Sequence, residues 1–209
     1  LLIMPRHEKI SSMNDLKGKR VGIWKVGFGD YALMVDKEHN LEIEWIPFVQ
    51  NINLFISGVI DATLAMSYNE ILQIRAAGYD ISTAISIADE GYDFPEDGLY
   101  VSEDYFRNNP QTVKAFADAS RKGWEWAQEH PEETLEIVME KTHSNNIATN
   151  RTHQKWMLEE VLKLNKDTEI GTATYTLKSD QVRRLSDLLV KHGMISKPVT
   201  YETITGQTL

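Results

Sequence analysis

The sequence predicts an α/β protein, and three observations carry that reading. Between residues 20 and 87, short apolar, β-branched runs alternate with segments of helical period, which is the pattern of βαβ units on a mostly parallel sheet. Past Glu90 the pattern changes, and helix follows helix with hardly a strand between them. The 209 residues are 42% hydrophobic and 25% charged, a globular composition long enough to bury one or two cores.

Taken in order, residues 1–4 (LLIM) read as a strand and 5–13 as a polar connector, followed by a turn over 14–20 with Gly18 at its centre. Residues 20–24 (RVGIW) are a strand that feeds, through glycines, a helix patterned by Tyr31, Met34 and Val35. In 41–48, Leu41, Ile43 and Trp45 alternate with Glu42 and Glu44, as in a half-exposed strand. Asn51 caps a short helix that stops at Gly58, and 61–66 (DATLAM) is the next strand. A helix over 68–77 ends at Gly78, after which Ile81, Thr83, Ile85 and Ile87 alternate as a further strand.

Residues 98–103 read as a last short strand. Asn109 and Pro110 then open a helix that places Val113, Phe116, Ala117, Ser120, Trp124 and Ala127 on one face. His130 and Pro131 restart a second helix, with Glu132 and Glu133 in its first turn. Residues 152–164 and 180–192 form two more, the last with Val182, Leu185, Leu188 and Leu189 on one stripe and Gly193 at its end. These apolar faces have little sheet to lie on. The expectation is that strands of a lobe preceding residue 1 cover them, in keeping with Leu1 starting inside an apolar run.

Composition narrows the chemistry. Lys and Arg total 22 against 31 Asp and Glu, a formal charge of -9 with no dense basic run, so nucleic acid is not an expected partner. With no cysteine there is no disulfide framework, no thiolate nucleophile and no cysteine-ligated metal. The longest uncharged run, 45–60, contains Pro47, Gln50, Asn51 and Asn53 and falls short of the roughly 20 apolar residues of a spanning helix. Any membrane association is therefore expected through a partner or an anchor. His7, His39, His130, His143, His153 and His192 show no ligand spacing, so neither a metal nor a cofactor is expected. Adjacent acids such as Asp89 and Glu90, or Glu96 and Asp97, read as solvated loop, and no catalytic apparatus is evident.

Three junctions at strand mouths carry the candidate ligand chemistry, because open α/β sheets bind small molecules at strand ends. The first, WKVGFGDY over 24–31, offers Trp24, Gly27, Phe28, Asp30 and Tyr31. Gly27, Gly29 and Ala32 have G-x-G-x-x-A spacing, but the acid that a dinucleotide site needs on the next strand is replaced by Pro47, Phe48 and Val49. Trp24 suits either a core position or a stacking platform. The second junction, SYNE over 67–70, offers Ser67, Tyr68 as a flat face with a hydroxyl, Asn69 as donor and acceptor, and Glu70 as an amine partner. Ser67 and Glu70 equally fit a capping box, and the two readings are compatible. The third, DFPEDGLY over 93–100, contributes Asp93.

The stretches DLKGKRVGIW (15–24), ISGVIDATLAMSYNE (56–70), PEDGLYVSEDYFRNNP (95–110), KGWEWAQEHPEET (122–134) and HQKWMLE (153–159) together resemble the periplasmic solute-binding proteins of the NMT1/THI5-like and SsuA-like group. The resemblance implies a type II periplasmic-binding-protein-like fold, two α/β lobes whose hinge closes on a ligand. In that frame 1–17 is a crossover and linker from a truncated first lobe, 18–88 the second lobe, and 89–209 the return crossover with the C-terminal part of the first lobe. It implies a periplasmic or extracellular protein, lipid-anchored in some members, that captures a small polar organic ligand for ABC import and meets the permease. Group members bind thiamine-precursor pyrimidines, aliphatic sulfonates, taurine or nitrate. Asp30 and Glu70 beside aromatic rings favour a thiamine-precursor aminopyrimidine or other amine over an anion. The alternatives are a ligand-sensing domain fused to a membrane signalling protein and a pyrimidine-synthase-like enzyme; the latter's cysteine-rich motif has no counterpart here.

Overall fold

In the computed structural model, β1 (Leu2–Pro5), β2 (Arg20–Trp24), β3 (Glu44–Phe48), β4 (Ala62–Ala65) and β5 (Ile85–Ser86) form one mixed sheet in the order β3-β2-β4-β1-β5. Residues 1–7, 9–25, 27, 29–48, 52–94, 97–165 and 175–206 are described; the candidate Phe28 and the expected cap Asn51 lie outside them. β2 pairs in parallel with both β3 and β4. β1 departs from the expected parallel sheet, running antiparallel to both β4 and β5. Alternation of apolar residues marks a strand but carries no information on its direction.

The chain divides into two compact units. The first comprises Leu1–Asp93 and Met139–Val161 and holds the sheet. Every residue of β4 is buried, as is the middle of β2, so this sheet is covered on both faces. Around it lie α1 (Asp30–His39), α2 (Asn53–Ile56) and α3 (Glu70–Ala76). Phe55 and Ile60 join Met4, Ala65, Ile71 and Ile74 in one core, against which the half-buried Trp156 packs from α7 (Arg151–Leu164). Burying a side chain the size of Phe55 contributes about 1.5–3 kcal/mol.

Two local devices fix the sheet. Gly22 on β2 lies opposite Thr63 on β4, and a Cβ at Gly22 would fall 2.7 Å from Thr63 Oγ1 and 2.8 Å from Ile60 Cδ1. Only glycine leaves the Thr63, Ile60 and Phe48 side chains room to fill the space beside β2. At the start of both strands, Asp61 Oδ2 accepts from the Arg20 amide at 3.0 Å, with Arg20 Nε at 3.5 Å. Burial acts to raise the Asp61 carboxyl, but the Arg20 amide and guanidinium outweigh it and hold the group below the usual aspartate range.

The elements depart from the sequence reading where side chains compete with the ladder. The strand expected over 41–48 begins only at Glu44, because Asn40 and Glu42 have φ of 52° and 54° and Asp36 collects the Ile43 amide and the Trp45 indole N–H. The strand expected over 81–87 is mostly a 3-10 turn, Ile81–Thr83, leaving only Ile85–Ser86 as strand. Its cause is Asp80, whose carboxylate accepts from the Ser82 amide at 2.9 Å and whose carbonyl takes the Thr83 hydroxyl at 3.0 Å. Residues 98–103 form no strand; Ser102 accepts from the Tyr105 amide at 3.3 Å and starts α4 (Glu103–Asn108) instead.

The second unit, Phe94–Val138 and Leu162–Leu209, has no strand among its described residues. It contains α4, α5 (Pro110–Glu129), most of α6 (Pro131–Ser144), α8 (Ser179–Lys191) and α9 (Tyr201–Thr205), the last not anticipated. Pro110 opens α5 as expected, although the Asn109 side chain turns back to the Tyr105 carbonyl rather than capping it. On α5, Ala127 is buried but Phe116 remains 63% exposed, so the apolar face is not closed over. On α8, the buried Ser186 accepts from the Val199 amide at 2.6 Å and Val182 is buried beside it on the helix.

The sheet leads to two expected outcomes. Gly22→Ala should lower stability by about 1–3 kcal/mol in chemical denaturation, since the packed side chains of Thr63, Ile60 and Phe48 must all shift to admit a Cβ. The contribution of Asp61, whose folded value is depressed, is present above the ordinary aspartate value near about 4 and lost as pH falls through the lower folded value. Acid melts should therefore show the advantage of wild type over Asp61→Asn shrinking as pH drops below about 4.

Candidate functional site

Strand direction decides what comes together. β2 runs parallel to β4, and β5 also runs with β4 because both are antiparallel to β1. The chain therefore leaves all three strands at one edge of the sheet, carrying the first two sequence-predicted junctions with it, and from β5 it leads on to Asp93, the one residue of the third junction that belongs to this unit.

After β2, Gly27 has φ of +88°, the left-handed region that favours glycine. Gly29 is buried against Ile23, whose Cδ1 would lie 2.5 Å from an added Cβ. This tight path delivers Asp30, exposed, to the first turn of α1, where a carboxylate also favours the helix dipole. Trp24 is half-buried with its ring 5.3 Å from that of Phe48, and Tyr31 lies 6.2 Å from Tyr92. After β5 the chain turns through Ala88–Glu90 and Gly91 to Tyr92 and the exposed Asp93. Glu90 pairs with His39 at 3.0 Å, tying this segment to α1. Tyr92 is buried, and burial, with the Glu38 carboxylate beside it, raises its hydroxyl above the usual tyrosine range. Its oxygen makes no hydrogen bond of ordinary geometry among the described residues.

After β4 come Ser67, Tyr68, Asn69 and Glu70, all half-buried. The expected capping box does not form. α3 starts at Glu70 itself, two residues later than the expected helix over 68–77, and Asn69 stands at its N-cap without a side-chain bond to the helix amides. Glu70 Oε2 instead accepts from the Met66 amide at 2.9 Å, and Oε1 from Asn69 Nδ2 at 2.9 Å. The carboxylate thus locks the end of the strand to the start of the helix.

Residues that the sequence reading did not single out complete this turn. Gln73 Nε2 donates to Asn69 Oδ1 at 3.0 Å. From α7, His153 Nε2 meets the same Oδ1 at 2.9 Å, and the Trp156 indole N–H donates to the Ser67 carbonyl at 3.0 Å. Arg75 of α3 lies over the Trp156 ring, 6.0 Å from its centroid. The signal available was the spacing HQKW, which puts His153 and Trp156 on one face of a helix. Nothing local could have named their partners. No group of acidic residues and histidines suited to a metal occurs among the described residues, and none of their helices is long and apolar enough to cross a membrane.

A mixed sheet with strand ends gathered at one edge and helices on its faces places this chain in the periplasmic-binding-protein class of α/β folds. Over 98% of its length it is similar to the periplasmic aliphatic sulphonate binding protein SsuA from Escherichia coli, at 11% identity and a TM-score of 0.66, spanning 64% of that chain. The desulfurization enzyme DSZB is similar over 95% of this chain and 70% of its own, at 14% identity and a TM-score of 0.54. Residues 1–134 match the NMT1/THI5 like family model, and the chain belongs to that family. The riboflavin-binding protein RibY of Chloroflexus aurantiacus is 25% identical over 138 residues, covering 63% of this chain and 38% of its relative. The chain thus spans well under half the length of that relative.

Trp156→Phe keeps an aromatic ring but removes the donor to the Ser67 carbonyl and part of the indole's packing, and should lower stability by about 1–3 kcal/mol in urea denaturation. Glu70→Gln puts an amide NH2 against either the Met66 N–H or the Asn69 amide and should cost about 1–3 kcal/mol by the same measurement.

Proposed function

We propose that this chain belongs to an extracytoplasmic solute-binding protein that captures a small polar organic ligand and delivers it to the permease of an ABC importer. The common direction of β2, β4 and β5, which sends the segments after them to one end of the sheet, carries this reading, because such strand ends are where open α/β sheets hold small molecules. Membership of the NMT1/THI5-like family supports it, as do relatives named for binding riboflavin and aliphatic sulphonates. An enzyme like the desulfurization neighbour is the rival. The absence of cysteine argues against the pyrimidine-synthase type of chemistry.

The ligand we propose is a flat, nitrogen-bearing ring with an amine, such as an aminopyrimidine. Trp24, Tyr31 and Tyr68 supply aromatic surface, and Ser67, Asn69 and Asp93 supply hydrogen-bonding groups. Asp30 is the carboxylate for the amine: it is exposed at the strand end and has no hydrogen-bond or ion-pair partner among the described residues. Glu70 adds negative charge at the end of β4 while its oxygens hold the turn. Together the two acids oppose an anion such as a sulfonate or nitrate.

Calorimetric titration with an aminopyrimidine, riboflavin, taurine and nitrate tests this. The ring compounds should bind, and Asp30→Asn should weaken the amine-bearing one by about 1.5–3 kcal/mol with little change in melting temperature. Tight binding of taurine or nitrate with no response to the rings would overturn the ligand class.

A further inference from the structure

The atoms around Asn69 can be assigned from chemistry. A carboxylate only accepts, so the Asn69 atom 2.9 Å from Glu70 Oε1 must be the amide nitrogen. Asn69 Oδ1 therefore faces Gln73 Nε2 at 3.0 Å and His153 Nε2 at 2.9 Å, and both of these must donate. His153 consequently carries a proton on Nε2. The two donors occupy Oδ1, while the Met66 amide and Asn69 itself occupy the two oxygens of Glu70. What the Asn69 amide retains is its second N–H.

Glu70 and Gln73 both lie on α3, the helix that Asn69 itself begins, so they travel with it. His153 does not. It comes from α7, 84 residues further along the chain, and fixes where the amide stands relative to the rest of the first unit. Trp156, one turn on, holds the Ser67 carbonyl and so docks the backbone, not the amide. The two α7 residues thus act on different parts of one turn.

We propose that His153 is a positioning residue for ligand binding: it holds the Asn69 amide so that this strand end offers a donor, selecting ligands that carry a carbonyl or ring-nitrogen acceptor beside an amine or other N–H donor. This rests on the sheet edge being the ligand site. Asp30 then takes the donor side of the ligand and Asn69 the acceptor side, and a simple alkylamine lacks the second.

The experiment uses the 209-residue chain with riboflavin and an aminopyrimidine as probes, titrated by calorimetry, and 15N-histidine NMR. His153 should show a protonated Nε2; a neutral ring with its proton on Nδ1 would overturn the assignment. His153→Ala should weaken both probes about two- to tenfold, and His153→Gln, which can still donate, should recover most of that loss. Asn69→Asp, which removes the donor, should weaken them at least as much. Trp156→Phe should lower the melting temperature more than it changes affinity. If Asn69→Asp weakens binding and His153→Ala does not, the positioning role falls and the site reading stands. If neither probe binds wild type, or neither variant changes their affinity, the site reading falls and the proposal with it.

Discussion

The parallel pairing of β2 with β4 is the constraint on which the rest of the sheet-bearing unit depends. Parallel pairing at Val21 with Ala62 and Gly22 with Thr63 leaves no room for a side chain at Gly22. Because the pairing is parallel, the segments leaving β2 and β4 emerge side by side. An antiparallel pairing of the same two strands would have sent the aromatic loop and the SYNE turn to opposite edges. The chemistry of the edge is thus set by strand direction before any of its side chains is placed.

A second layer of order lies in how the strand end is finished. A helix start with free amides and a strand end with a free amide both need partners. One carboxylate, Glu70, serves the Met66 amide and the Asn69 side chain at once. The result is a turn whose Asn69 and Glu70 side chains are oriented by each other and by α7. Preorganised polar groups of this kind lose less entropy on meeting a ligand than groups that must first be ordered.

Much of this was legible in the sequence, and the limits have physical causes. β2, β4, α1 and α5 announce themselves through local period and glycine or proline punctuation. The first two candidate junctions were legible as strand exits because that grammar is local too, whereas the strand expected to follow the third does not form. The direction of β1 was not legible, since apolar alternation is the same in either sense. Residues 81–87 and 98–103 have strand-like composition, but Asp80 and Ser102 offer the backbone nearer hydrogen bonds. Glu70 reads from the sequence as a helix cap or a ligand partner, whereas its oxygens go to the Met66 amide and the Asn69 side chain. The roles of His153 and Trp156 are non-local, and one sequence holds no trace of which carbonyl or amide a distant helix will meet.

The discontinuity of the first unit bears on how the chain reaches its fold. Its sheet and first three helices are encoded before Asp93, yet the helix that braces the SYNE turn ends that unit only at Val161. During synthesis the sheet can therefore assemble while the Ser67 carbonyl and the place of His153 at Asn69 Oδ1 are still served by water, and the core around Phe55 lacks the Trp156 ring. Closing those contacts requires loops of 84 and 89 residues, whose entropy must be lost before the bonds return anything. The nascent unit is in this sense open on one side until α7 emerges, and that interval is when its exposed apolar surface is most open to misassembly.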